Sequence, residues 1–149
     1  MTAELNVWQD LQIGLCLNLE ITIAETQSLM TLEQQPVWDQ EALLGRFRGK
    51  TDRIVKLVNL YLDDMPPRIV LLAEQVAAAS LSDIIENAHT IKGVSANLSI
   101  IRLQLRSEEL EQAAKDQDTE RTSTLHTAVT EEYKASETAL KAFLAIHSG

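Results

Sequence analysis

From residue 40 onward the apolar positions fall at the three- and four-residue spacings of amphipathic helices. Leu43, Leu44 and Phe47 form the apolar side of a short segment, 40–48, with Asp39 as its N-cap and Gly49 as its stop. A longer segment, 52–79, begins at Thr51 or Asp52 as cap and carries Ile54, Val58, Leu60, Tyr61, Met65, Val70, Leu72 and Val76 among its apolar residues. Pro66-Pro67 interrupts it. Two backbone donors are lost there, and the residue before each proline is turned away from helical geometry, so either two helices meet or one long helix kinks. A third helix spans 81–98 with Ser80 or Ser82 as cap. A fourth, 101–116, carries Ile101, Leu103, Leu105, Leu110 and Ala113/Ala114. After the polar turn Gln117-Asp118-Thr119 a last helix, 120–146, carries Leu125, Val129, Tyr133, Leu140, Phe143, Leu144 and Ile146. Short connections between long amphipathic helices make antiparallel neighbours, so the pattern predicts an all-α, up-down four-helix bundle over 36–149.

Residues 1–35 carry two periodicities at once. Leu11, Ile13, Leu15, Leu17, Leu19, Ile21 and Ile23 alternate with polar or small residues, as in a half-buried strand. Leu5, Trp8, Leu11, Leu15 and Leu19 equally fit one helical stripe, and a lone strand in a helical domain has no partner. A helical N-terminal extension or linker is the favoured reading, with a strand as the alternative. The break Gln34-Gln35-Pro36 ends it.

The 81–98 helix holds the candidate chemistry. At about 100° per residue, Ile84, Ala88, Ser95 and Leu98 fall within about 60° of Ile91, while His89 falls about 160° away and faces solvent. Asn87 lies inside the apolar arc and Ile85 outside it, beside His89. Lys92 and Gly93 follow His89 at i+3 and i+4 and share its surface. Glycine in a helix interior costs on the order of 1 kcal/mol against alanine and calls for a reason. Here it removes a side chain that would shield the imidazole. Lys92 places a positive charge where an anion carried by His89 would sit. A histidine with an ordinary pKa near 6.5 is largely neutral at pH 7 and keeps a nucleophilic ring nitrogen. Nucleophile, cation and clearance together point to phosphoryl transfer.

Ala88-His89-Thr90-Ile91-Lys92-Gly93-Val94-Ser95-Ala96-Asn97-Leu98 closely resembles the signature of histidine phosphotransfer (HPt) domains of multistep phosphorelays. The resemblance extends to Leu110-Glu111 and to the spacing of Phe47, Leu57, Leu60, Pro66 and Asp83, and covers roughly 38–146. One position departs: such domains often follow Asn-Leu with Gly-Ala, where this chain has Ser99-Ile100. The resemblance implies one long kinked helix over 52–79. It implies His89 as phosphoacceptor, Lys92 as its electrostatic helper and Gly93 as clearance for a docking receiver domain. Ile85 and Ala96, flanking the histidine, are candidates for an apolar docking rim. Nε2, which projects farther from the backbone, is the expected nucleophile. The implied partners are response-regulator receiver domains and a sensor histidine kinase.

Charge and composition narrow the alternatives. The formal net charge of −9 disfavours nucleic acid and anionic membranes as partners. Cys16 is alone, which excludes a disulfide framework or thiolate metal site. No apolar run reaches the ~20 residues of a membrane span and no signal-peptide pattern opens the chain, so a cytoplasmic location is expected. There is no glycine-rich phosphate loop and no H-E-x-x-H. The expectation is therefore a phosphoryl carrier rather than an enzyme with its own kinase activity, charged by another protein, with no cofactor of its own and with magnesium belonging to the receiver. His126 and His147 lack acidic or ligating neighbours at helical spacing. Asp63-Asp64 and Glu131-Glu132 diverge by about 100° on a helix and read as solvated, as do Glu108, Glu109 and Glu111. Two other classes stay open: the phosphoacceptor domain of a hybrid or chemotaxis-type sensor kinase, and a structural adaptor bundle that is never phosphorylated.

Overall fold

The structure is a computed structural model that describes residue 32 and residues 34–147. The chain divides into two compact units, Met1–Gln35 and Pro36–Gly149. Residues 5–23, which carry both periodicities of the 1–35 segment, lie outside the described residues, so the helix-or-strand question does too. The second unit is helical throughout: α1 (Gln40–Arg46), α2 (Thr51–Ala77), α3 (Leu81–Asn97), α4 (Ile101–Lys115) and α5 (Thr119–His147). The long helices pack in a ring, α2 on α3, α3 on α4, α4 on α5 and α5 back on α2, while α1 rests on α2.

The core is a continuous apolar cluster along the bundle axis, with Ile54, Met65, Ile84, Ile91, Leu103 and Leu140 almost wholly excluded from water. Pro66 and Pro67 sit inside one unbroken helix. They deprive the carbonyls of Leu62 and Asp63 of their intrahelical donors. Burial of Tyr61 and Met65 before the prolines and of Leu72 after them anchors both halves of the helix to the same core. Several apolar residues of the sequence pattern nevertheless face water: Leu60 is 64% exposed, Val70 61% and Ile146 76%.

Helix starts differ in part from expectation. Asp39 caps α1 as anticipated, its carboxylate accepting from Ala42 N at 3.1 Å. For α2 the cap is Lys50, without a side-chain bond, and Thr51 is already the first helical residue. Ser80 occupies the N-cap of α3, but its hydroxyl donates to the Asp83 carboxylate at 2.6 Å rather than serving the backbone.

Helices α1 to α4 end in one shared geometry. Arg48, Ala79, Ser99 and Gln117 adopt left-handed φ between 52° and 58°. After each, the next backbone N–H reaches back to a carbonyl in the last turn (Gly49 to Leu44, Ser80 to Gln75, Ile100 to Ser95, Asp118 to Ala113), the double closure of a Schellman motif. The stop expected at Gly49 therefore falls one residue earlier. At Ser99 the chain adopts the left-handed turn without the glycine that suits it.

The C-terminus of α3 is also held by residues near α1. Trp38 Nε1 donates to Leu98 O at 2.8 Å, Asp39 N to Ser99 O at 2.8 Å, and Arg46 Nη2 to Asn97 O at 2.9 Å and Ser99 Oγ at 2.6 Å. Trp38 itself is buried edge-on against Phe143, with centroids 5.2 Å apart. The segment thus satisfies carbonyls a helix end leaves without partners and fixes where α3 stops.

Candidate functional site

The stripe Ile84, Ala88, Ile91 and Ser95 is buried and clamps α3 onto the bundle, which leaves His89 outward with its side chain 68% exposed. Asn87, the polar residue in the apolar arc, is also buried. Its amide nitrogen donates to Arg68 O and to Gln75 Oε1, both at 3.1 Å.

Beside the histidine stands a residue the pattern assigned to solvent. Glu111, on α4, is 5% exposed. Its Oε1 lies 3.2 Å from His89 Nδ1 and 2.9 Å from Lys92 Nζ, and its Oε2 accepts from Lys115 Nζ at 2.9 Å. Burial alone would raise its pKa. The bonds from Lys92, Lys115 and His89 outweigh that and hold the carboxyl down at about 2. An ionised carboxylate has no proton to give, so the contact with His89 requires a proton on Nδ1. In the neutral imidazole the lone pair then belongs to Nε2, on the exposed ring. A signal for Glu111 was present in its register. It follows Ser107 and Leu110 and precedes Ala114 on the buried stripe of α4; charge disguised position.

Lys92 is half-buried and tied to Glu111, so it reaches the histidine through the same carboxylate oxygen. Gly93 is exposed, and a Cβ built there would meet no atom within 4 Å. The fold itself therefore does not require glycine at this position. Ile85 and Ala96 are both half-buried, Ile85 packed against the core.

The remaining candidates scatter. Asp63 and Glu131 are exposed, and Asp64 pairs with Arg68 on its own helix at 2.9 Å. Glu132 is a second correction: it is 9% exposed and takes Arg102 Nη2 from α4 at 3.0 Å, joining α4 to α5. Glu109 is bound by Arg106 at 3.0 Å, whereas Glu108 is exposed as expected. His126 bonds only within its own helix, and burial lowers its pKa. His147 lies against the Phe143 ring at 4.3 Å. Among the described residues no group of three or more His, Cys, Asp or Glu side chains is placed to hold a metal ion, and no helix is long and apolar enough to cross a membrane.

The family model described as Hpt domain matches residues 56–139, more than half of the chain, and the protein belongs to that family. Similar solved structures share the fold. Histidine-containing phosphotransfer protein B (HptB) of Pseudomonas aeruginosa PAO1 has a TM-score of 0.67 at 22% identity, covering 72% of this chain and 93% of its own. The HPT domain of a sensor hybrid histidine kinase from Shewanella has a TM-score of 0.67 at 18% identity, with 76% and 97% covered. The maize histidine-containing phosphotransfer protein ZmHP2 has a TM-score of 0.66 at 17% identity, with 87% and 96% covered. No curated protein matches the sequence.

Proposed function

We propose that this protein is a phosphorelay intermediate that takes a phosphoryl group from a receiver-domain aspartate onto His89 Nε2 and passes it to an aspartate of another receiver. The observation that carries this reading is the Glu111 contact at Nδ1, which leaves Nε2 as the unprotonated and exposed nitrogen. The Nε2 lone pair attacks phosphorus, the N–P bond forms, and the bond to the aspartyl oxygen breaks to free a carboxylate. No proton has to leave. Nδ1 keeps its own, the ring becomes a phosphoimidazolium, and the Glu111 carboxylate faces the positive charge that develops on it. Lys92, bonded to the same Glu111 Oε1, supplies the positive charge for the phosphoryl oxygens. Open space over Gly93 admits the receiver, with Ile85 and Ala96 at the edge of the contact. The chain supplies no cofactor in this scheme; magnesium comes with the receiver. Transfer in the opposite direction uses the same groups.

The test is transfer from a phosphorylated receiver domain to the wild-type chain and to His89→Gln, with an ATP-only control. Acid-labile, base-stable label on the wild type alone is the expected result. A fully folded chain that takes no label from any of several receivers would instead be an adaptor bundle, and label from ATP alone would make it a kinase.

A further inference from the structure

Glu111 divides its two carboxylate oxygens between two helices. Oε1 is turned towards α3, 3.2 Å from His89 Nδ1 and 2.9 Å from Lys92 Nζ. Oε2 accepts from Lys115 Nζ at 2.9 Å, on α4 itself. We propose that Lys115 is a positioning residue for the phosphoacceptor: by holding Oε2 it keeps Oε1 on Nδ1, and so keeps the neutral ring in the form whose bare nitrogen is Nε2. The proposal rests on the phosphorelay reading above for the use made of that nitrogen, and on the geometry around Glu111 for the rest.

The ring contact is the weakest of the three that Glu111 makes. It is the longest, and in the neutral ring its donor is uncharged, whereas the other two donors are ammonium groups. The last torsion of a glutamate side chain is soft, so the carboxylate turns to whichever donors hold it best. Among the described residues Lys115 is the group bonded to Oε2. Without it an almost wholly buried carboxylate has one oxygen short of a donor, which is unfavourable. Lys92, with three donors and already 2.9 Å from Oε1, is the cation that remains. Turning both oxygens towards Lys92 relieves Oε2 and draws Oε1 off Nδ1. The ring proton is then no longer held on Nδ1. The other tautomer gains population, and in it Nε2 carries the proton and has no lone pair to offer phosphorus.

Lys115 is suitably placed for this. It follows Glu111 by four residues, the better order for a Glu–Lys pair within one helix, so its hold on Oε2 does not depend on α3. It bonds the oxygen that the ring does not use, and so does not compete with His89 for a lone pair. Lys92 cannot serve in its stead, because it shares Oε1 with the ring. Half of the Lys115 side chain is exposed, so replacing it opens no hole in the core.

The experiment compares the wild type with Lys115→Met and Lys115→Arg in three measurements. These are the nitrogen NMR signals of the His89 ring in its neutral form, the rate of labelling by phosphoramidate (a small donor that needs no docking), and transfer from a phosphorylated receiver with KM separated from kcat. The wild-type ring should carry its proton on Nδ1. In Lys115→Met the Nε2-protonated form should appear, and phosphoramidate labelling and receiver kcat should both fall by about fivefold, with KM within about twofold. Lys115→Arg, whose guanidinium still reaches Oε2, should restore all three. Ring signals in Lys115→Met identical to those of the wild type overturn the proposal, whatever the rates do. A raised receiver KM with unchanged ring signals and unchanged phosphoramidate labelling would make Lys115 a docking contact instead. If phosphoramidate labels His89 while no receiver does, the relay reading fails, and the ring signals and the small-donor rate still decide the role of Lys115.

Discussion

Nδ1 of His89 on α3 and Oε1 of Glu111 on α4 lie 3.2 Å apart, joining an exposed imidazole to a buried carboxylate. Lys92 and Lys115 complete the coordination of that carboxylate. One buried charge thus holds the ring, and in the proposed transfer the same charge faces the imidazole as it becomes cationic.

Replacing Glu111 by glutamine should separate these roles. The amide oxygen can still accept from Nδ1, but the countercharge is gone and both lysines lose their anion. A hydrogen bond to a charged group is worth roughly 1.5–3 kcal/mol, which corresponds to a transfer rate lower by about 10- to 100-fold. Single-turnover transfer from a saturating phosphorylated receiver measures it. An unchanged rate would reduce Glu111 to a structural ion pair.

The same carboxylate predicts an acid limb of stability. Its folded pKa lies below the ordinary value, about 2 against 4.5. Such a group contributes stability that is fully present above about 4.5 and disappears as pH falls through about 2. Glu137, lowered chiefly by its bond from Tyr133, acts in the same direction. Urea midpoints followed downward from neutral pH should begin to fall below about 4.5. In Glu111→Gln the fall over that window should be shallower, starting from a lower stability at neutral pH.

Gly93 offers a prediction in which stability and function move in opposite directions. A methyl group there meets no atom of the fold. Gly93→Ala should therefore raise stability by about 1 kcal/mol through helix propensity, or a few degrees in Tm. Transfer from a receiver should fall, and fall further in Gly93→Gln, because the added side chain occupies the space the partner needs. Thermal unfolding and receiver-transfer assays on the same two variants decide it. A stabilised Gly93→Ala with full transfer would detach the glycine from docking.

The main elements of the bundle were legible because burial and periodicity agree. The Ile84–Ala88–Ile91–Ser95 stripe is as buried as its spacing demands, and that alone turns His89 outward. Glu111 and Glu132 were not legible, because an acidic residue reads as solvated until its cationic partners are known, and those partners lie on other helices or a turn away. Leu60 and Val70 misled in the opposite sense: α2 carries more apolar residues than its buried face can hold. Helix ends were displaced by one or two residues for a local reason. The first left-handed positions after α1 to α4 are Arg48, Ala79, Ser99 and Gln117, none of them glycine; only after α1 does a left-handed glycine, Gly49, follow at the next residue.

Those ends make a prediction about stability alone. Ala79 follows α2 with φ 52°, and its backbone N–H and that of Ser80 close the helix onto Val76 O and Gln75 O at 3.1 and 3.0 Å. An L-residue in this conformation sets its Cβ against the following carbonyl, at roughly 1–2 kcal/mol. Glycine removes that strain but adds entropy to the unfolded chain, so Ala79→Gly should stabilise the protein by about 0.5–1 kcal/mol. The exposed Ala79 side chain gives up little packing in the exchange. Chemical denaturation of the two proteins measures the difference, with Ala77→Gly as the contrast. Ala77 is the last residue of α2, where glycine brings its helix penalty without relieving any strain, and that variant should be destabilised. The same sign for both substitutions would mean that the turn after α2 is not held in the left-handed conformation in solution.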